Sequence, residues 1–110
     1  MNTRKELGKI QRFEIGMGGY DDAMFGMSVT LGGQGWGVQD FDGTWAHAPD
    51  KHCKWTAEDQ AAVWAKMIQR VLNLMRQAKV KTAPEMVGIP VEVTFVGNKL
   101  ESWRVLEEVL

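Results

Sequence analysis

The sequence predicts an α+β fold, in which an antiparallel sheet of four to five strands carries one long helix across one face, in the order ββ(β)αββ. Two observations predict it. Strand-like alternation of apolar residues occurs before residue 32 and after residue 90, and a helical apolar period lies between them. With 110 residues, the chain is long enough for one hydrophobic core and too short for two. Residues 1–110 should therefore form a single compact domain.

The first strands are predicted on either side of a glycine-rich turn. Residues 9–15 keep enough alternation for a first strand, and every second residue from Phe25 to Leu31 in the segment 23–31 is a large apolar one. Residues 32–38 contain four glycines, which usually weaken a strand or mark a bulge. We therefore expect a short, irregular third strand followed by a long loop.

One long helix is predicted from about Ala57 to Lys79. Thr56 is a good N-cap, two carboxylates follow it in the first turn, and no glycine or proline interrupts the chain before Pro84. The predicted apolar stripe of this helix consists of Trp64, Ile68, Val71, Met75 and Ala78, widened by Val63, Met67, Leu72 and Leu74.

The C-terminal part should form one helical turn and a β-hairpin. The turn is predicted from Pro84 to Val87 and should be closed by Gly88. Two β-rich runs, 90–96 and 99–106, are separated by Gly97-Asn98, a pair of residues suited to a tight turn. The residues expected to face the core here are Val91, Val93 and Phe95.

Composition and charge restrict the setting and the partners. The net charge is −1, so bulk charge does not predict direct binding of nucleic acid. No apolar run approaches the roughly 18 residues that span a bilayer, and no apolar stretch of a secretory signal follows the first charges. The single cysteine, Cys53, cannot form an internal disulfide. We expect a cytoplasmic protein that does not insert into membranes.

The segment from Gly16 to Trp55 is the candidate binding region. It holds nine of the twelve glycines and three of the five tryptophans, so backbone amides can approach a partner and indole rings can stack on it. The same glycines also have a structural interpretation as turns and bulges of a twisted sheet. The candidate ligand-binding residues are Tyr20, Trp36 and Trp45, for stacking on a base, and Arg70 and Arg76 of the basic helix, for pairing with phosphate.

The same region is acidic, which supports a different kind of site. Between Phe13 and Asp50 there are six acids and no Lys or Arg. An acidic and aromatic surface would suit a basic protein partner. The candidate protein-interface residues are Asp21, Asp22, Asp40 and Asp42.

Catalytic motifs are not evident. Neither glycine cluster leads into a helix and no Walker Gly-Lys-Ser/Thr is present, so a phosphate loop is not predicted. His47, Asp50, His52 and Cys53 are metal-ligand types, but their spacing is not that of a structural zinc site. We predict no enzyme, no metal and no cofactor, and keep a metal-dependent hydrolase at residues 47–53 as a third hypothesis.

Three parts of the sequence have a family resemblance: the stretch Gly18–Gly26, the motif Gly35-Trp36-Gly37, and the ending from Pro90 to Leu110. In these parts the chain resembles a family of small uncharacterised proteins encoded by phages and prophages. The resemblance implies an accessory protein that acts against host defence in the host cytoplasm.

The residues and this resemblance together lead to two function hypotheses. The leading one is a non-enzymatic binding protein that sequesters a small nucleotide-like signal. The alternative is a protein–protein inhibitor that docks its acidic, aromatic surface onto a host defence protein or a nucleic-acid-binding protein. The broad apolar helix and the sheet edges would also support a homo-oligomer.

Overall fold

A computed structural model describes residues 2–110 as a five-stranded antiparallel sheet with one long α-helix packed against it. The strands are ordered β3-β2-β1-β4-β5 in the sheet, and the predicted α+β fold is confirmed. In chain order the elements are β1 (Thr3–Gly18), β2 (Met24–Gly33), β3 (Trp36–Trp45), α1 (Ala57–Ala78), β4 (Pro90–Val96) and β5 (Lys99–Val105), with 3₁₀ turns at Tyr20–Asp22, Ala83–Met86 and Glu107–Val109.

The central strand β1 extends well beyond the predicted residues 9–15 and joins two hairpins. Its residues 9–18 pair with β2, and its residues 3–9 pair with β4. The β1–β2 register shifts between Ile10 and Arg12, so Gln11 forms a bulge. Because of this bulge, Ile10 and Phe13 both face the core, although they are three residues apart.

Strand β3 is a regular strand of ten residues, so the prediction of a short, irregular strand is wrong. A loop does follow it, over residues 46–56. Every residue of β3 pairs with β2. Gly43 lies opposite Gly26, and a Cβ at either position would collide with the backbone of the other strand. The glycines thus permit a close strand pair at this point, instead of breaking the strand.

Helix α1 begins where the sequence predicts and ends one residue earlier. The Asp59 N–H donates to Thr56 Oγ1 and the Thr56 N–H donates to the Asp59 carboxylate, which forms a capping box. Lys79 follows the helix with a φ of 60°, and its N–H donates to the carbonyls of Met75 and Arg76. The helix therefore has a well-defined beginning and end.

The buried stripe of α1 is rotated relative to the predicted one. Met67 and Leu74 are buried, whereas Ile68 is 62% exposed and Leu72 is 40% exposed. The buried stripe packs on a core that includes Ile10, Phe13, Met27, Val29, Leu31, Met86 and the predicted Val91, Val93 and Phe95.

Within residues 2–110, no helix combines the length and apolar character needed to cross a bilayer.

The sheet is curled, so its two edge strands approach each other on the side of α1. Trp36, at the start of β3, packs edge-on against Phe95 of β4 with ring centroids 5.5 Å apart. Trp103 of β5 donates a hydrogen bond to Asp40 of β3, with an N–O distance of 2.8 Å. This curl places β5 beside α1 and creates a groove between them.

Candidate functional site

The candidate site is a groove between α1 and β5, called here the α1–β5 groove. It has a volume of about 430 Å³, which is within the range of small-ligand sites. Its lining residues are Lys66, Gln69, Arg70, Asn73, Leu74 and Gln77 of α1, and Trp103 and Arg104 of β5.

The helical side of the groove follows from residue spacing. Lys66, Arg70, Asn73 and Gln77 are separated by four, three and four residues, so they lie on one face of α1. The Gln69 side-chain amide donates to Asn73 Oδ1 at 3.3 Å. This face carries two cations and several amide groups, which line the groove together with Trp103.

Arg70 is held in a fixed position at the base of the groove. Its two terminal nitrogens donate to Asp40 Oδ2 at 2.7 Å and to Asp42 Oδ2 at 3.1 Å. Burial acts to lower the pKa of Arg70, but the hydrogen bonds and charges of Asp40 and Asp42 outweigh it and raise that pKa. The guanidinium carbon also lies 5.7 Å from the centroid of the Trp103 ring, a cation–π distance. Arg70 and Trp103 thus form one preorganised unit.

The charged side chains that line the groove are all basic, although carboxylates outside the lining pair with two of them. No acidic side chain lines the groove, because Asp40 and Asp42 lie behind Arg70. Arg104 pairs with Glu92 at 3.1 Å and with Glu108 at 2.9 Å, and hydrogen bonds to Glu108 and Glu92 raise its pKa. Lys66 is in none of the ion pairs found within residues 2–110. Its ammonium group is therefore available to an anionic ligand.

Trp103 separates this groove from a smaller hollow of different charge. The hollow has a volume of about 310 Å³, and Asp40 and Glu101 are among its lining residues. A third hollow, on the opposite face of the sheet, is lined by both Arg12 and Glu14, which pair with each other at 2.6 Å. A fourth hollow, of about 670 Å³, also has a cation, Lys9, and no carboxylate in its lining, but it has no aromatic ring. Of these four, the α1–β5 groove is the one whose lining combines cations and an aromatic ring without a carboxylate.

The predicted ligand-binding residues lie in four separate places. Arg70 is in the groove, whereas Arg76 is exposed on another face of α1. Trp36 packs against the core, and Trp45 is at the far end of β3, about 30 Å away at roughly 3.3 Å per residue. Tyr20 packs edge-on against Trp45 with centroids 6.3 Å apart. A single small ligand cannot contact all five residues.

The four predicted interface acids are also divided between two places. Asp40 and Asp42 are half-buried and paired with Arg70, so they are not free to meet a protein partner. Asp21 and Asp22 are exposed in the 3₁₀ turn after β1, where both have positive φ values of 52° and 53°. Two of the four acids are therefore exposed, whereas the other two are engaged within the protein.

Sequence reasoning missed most of the groove. Of the residues that line it, only Arg70 is among the candidate ligand-binding residues, which include neither Trp103 nor Lys66. The four-three-four spacing of Lys66, Arg70, Asn73 and Gln77 was a readable signal, because it gives α1 a polar face of two cations and two amides. The proximity of Trp103 to that face had no signal in the sequence, since it depends on the curl of the sheet.

The residues considered for metal binding do not converge. Within residues 2–110, no three His, Cys, Asp or Glu side chains form a metal-ligand cluster. The His47 ring instead packs between Trp45 and Trp55, with centroid distances of 6.0 and 5.4 Å. Gln60 of α1 fastens this loop by donating to the carbonyls of Trp45 and His47.

No protein-family model matches the chain, and no curated protein or solved structure shows significant similarity to it.

Proposed function

We propose that this protein is a non-enzymatic binding protein for a small, planar, anionic ligand of the nucleotide type, held in the α1–β5 groove. The observation that carries the proposal is the juxtaposition of the Trp103 indole with Arg70, Lys66 and Arg104 in a groove without a carboxylate in its lining. A nucleotide combines a flat base with a phosphate, and this groove offers a partner for each.

The chemistry of the groove assigns a role to each group. The exposed part of the Trp103 ring stacks on the base, which in nucleic-acid sites is worth roughly 1–3 kcal/mol per base. Lys66 contacts the phosphate by charge-assisted hydrogen bonds. Arg104 lies beside it, but each of its guanidinium nitrogens already donates to Glu92 or Glu108. Gln69, Asn73 and Gln77 present amide donors and acceptors that can read the edge of the base.

The role of Arg70 in this proposal is indirect. Asp40 and Asp42 occupy its terminal nitrogens, so it supplies positive potential and holds the indole in place. Because this arrangement exists before the ligand arrives, little ordering of side chains opposes binding. Sequestration of a nucleotide-like host signal, as the phage-family resemblance suggests, would take place in this groove.

The first experiment is native mass spectrometry of the protein purified from bacterial cells, followed by calorimetric titration with nucleoside mono-, di- and triphosphates and cyclic dinucleotides. Lys66→Gln should weaken binding by about tenfold or more, because it removes a charged donor. Lys51→Gln, in the loop before α1, should leave affinity unchanged. No retained nucleotide mass and no heat with any of these probes would contradict the proposal, as would equal effects of the two variants.

One observation favours a protein target as a second candidate function. Tyr20 is 72% exposed and is followed by the exposed Asp21 and Asp22 in a tight turn. Such a turn can insert an aromatic ring into a basic partner surface while its acids steer association. For this alternative, Asp21→Lys with Asp22→Lys should slow association with a captured host protein and reduce its salt dependence, whereas Lys66→Gln should not affect it.

A further inference from the structure

Helix α1 covers only part of the helix-facing side of the sheet. In one cross-strand row, Asp42 of β3 contacts α1 through Arg70, Met27 of β2 is fully buried, and Ile15 of β1 is 45% exposed. In the next row, Phe25 of β2 is 36% exposed and Met17 of β1 is 58% exposed. Helix α1 therefore covers this side of the sheet only as far as β2. The apolar side chains of Ile15 and Met17 on β1 are exposed.

The flank of α1 that borders this open strip is itself apolar. Trp64 contacts Phe25, with ring centroids 5.9 Å apart, and its indole N–H donates to the Phe25 carbonyl at 2.9 Å. Continuing along this flank is a seam, called here the α1 outer seam, whose members follow each other at intervals of four, three, four and three residues. The seam consists of Ala61, Ala65, Ile68, Leu72 and Met75.

This spacing is that of a coiled-coil contact, in which two helices pack along a heptad stripe. The seam contains no charged residue, and all its members except the half-buried Met75 are exposed. It is distinct from the stripe that packs on the sheet, which runs through Gln60, Met67, Val71, Leu74 and Ala78. Apart from Met75, which also packs against the core, this second face of α1 is left exposed by the single chain.

We propose that two copies of this chain associate through their α1 outer seams, in antiparallel orientation about a two-fold axis at Ile68. On either side of Ile68, a small residue of one seam faces a large residue of the other. Ile68 meets the partner's Ile68, Ala65 meets the partner's Leu72, and Ala61 meets the partner's Met75. A two-fold interface must be self-complementary, and this pairing of small with large residues satisfies that requirement.

Charge independently supports the second copy as the occupant. Glu58 and Arg76 are 18 residues apart, which is five helical turns, so they lie on the same side of α1 at its two ends. In the antiparallel pair, Glu58 lies opposite the partner's Arg76, whereas a parallel pair would place each charge level with its own copy and form no such ion pair. Neither residue is in an ion pair within residues 2–110.

The exposed apolar surface also continues from the seam toward the sheet, because the open strip of Ile15, Met17 and Phe25 adjoins the same flank of α1. Exposed contiguous apolar surface of this kind is typical of interaction sites. The α1–β5 groove is on the other flank of α1, so the dimer would leave two groove sites open.

Sedimentation velocity of the full chain over a concentration series tests this inference. We expect a species of about 25 kDa, twice the 12.4 kDa of one chain. Ile68→Glu should raise the dissociation constant by roughly a hundredfold, because it places a charge at the centre of the seam. The matched control is Leu7→Glu, which changes a 67% exposed residue outside the seam and should leave the dimer intact.

Charge reversal tests the orientation without altering the apolar surface. Glu58→Arg and Arg76→Glu should each weaken association by roughly threefold to tenfold, because each affects two symmetry-related pairs. The double variant should restore it. A monomer at every concentration, or a dimer that neither Ile68→Glu nor the single reversals weaken, would overturn the proposal.

Discussion

Trp103 donates its indole N–H to Asp40 at 2.8 Å, although their strands, β5 and β3, form opposite edges of the five-stranded sheet. The same Asp40 oxygen accepts a hydrogen bond from Arg70 of α1 at 2.7 Å. One carboxylate oxygen therefore joins both edges of the sheet to the helix. Because Trp103 and Arg70 both line the candidate groove, Asp40 links the curl of the fold to the shape of the site.

We expect Asp40→Asn to lower the free energy of unfolding by about 1–3 kcal/mol, because the amide cannot neutralise Arg70 and cannot accept both hydrogen bonds equally well. Urea denaturation followed by circular dichroism measures this loss. Asp42→Asn is the matched control, since Asp42 bonds Arg70 but not Trp103, and its effect should be smaller. An equal or larger loss for Asp42→Asn would show that Asp40 has no special role in joining the edges.

The elements that could be predicted from the sequence depend on local signals. Each of these signals spans only a few consecutive residues. They are the capping box of Thr56 and Asp59, the turn at Gly97-Asn98 and the alternation of β4. Helix α1 and the last hairpin were therefore predicted almost to the residue. The position of the buried stripe on α1 was not predicted correctly. Apolar residues cover more than half of the circumference of this helix, so their pattern does not identify the side that is buried.

The elements that were missed depend on contacts between distant residues. The glycines of β3 indicate a loop when read alone, and only the pairing of Gly43 with Gly26 explains why a strand forms there. Likewise, Asp40 was interpreted as an exposed acid because its partners, Arg70 and Trp103, follow it by 30 and 63 residues. Much of the candidate site comes from the curl of the sheet, which has no local signature.

Trp36 should be a structural residue, in contrast to its predicted role in stacking on a ligand. Its ring packs against Phe95 and lies over Gly8 and Gly33, where a Cβ would collide with the indole. We expect Trp36→Ala to cost about 2–4 kcal/mol of stability, because it leaves a cavity beside the core. Thermal and urea unfolding of this variant measure the loss.

Tyr20→Ala is the comparison for Trp36→Ala. Tyr20 is 72% exposed, so its truncation should change stability by no more than about 0.5 kcal/mol. If Trp36→Ala were as stable as Tyr20→Ala, the indole would not contribute to the core.

The turn before β4 should make stability depend on pH. Glu85 accepts hydrogen bonds from the backbone N–H groups of Lys81 at 2.8 Å and Thr82 at 3.1 Å, and these bonds lower its pKa below the ordinary 4.5. A carboxyl group with a lowered pKa in the folded state stabilises the fold above its ordinary value. This contribution is lost as the pH falls from about 4.5 through the lowered pKa.

Urea denaturation at a series of pH values from neutral to acidic tests this dependence. Glu85→Gln should flatten the fall in stability on the acidic side, because it removes the titrating group. Glu101→Gln, at an exposed acid on β5, should keep the slope of the unchanged protein. If the two variants gave the same slope, the cap at Glu85 would not contribute to the acid sensitivity.

Three glycines in one cross-strand row allow the sharpest test of why this sheet needs glycine. Gly16, Gly26 and Gly43 lie side by side on β1, β2 and β3. A Cβ at Gly26 would meet the Asp42 carbonyl oxygen, and one at Gly43 would meet the Phe25 carbonyl oxygen, whereas nothing lies within 4 Å of one at Gly16. Gly26→Ala and Gly43→Ala should each cost about 1–3 kcal/mol or more, because backbone atoms cannot move aside as a flexible side chain does. Gly16→Ala should remain within about 0.5 kcal/mol of the unchanged protein. If all three variants had equal stability in urea, the close approach of β2 and β3 would not be the reason for these glycines.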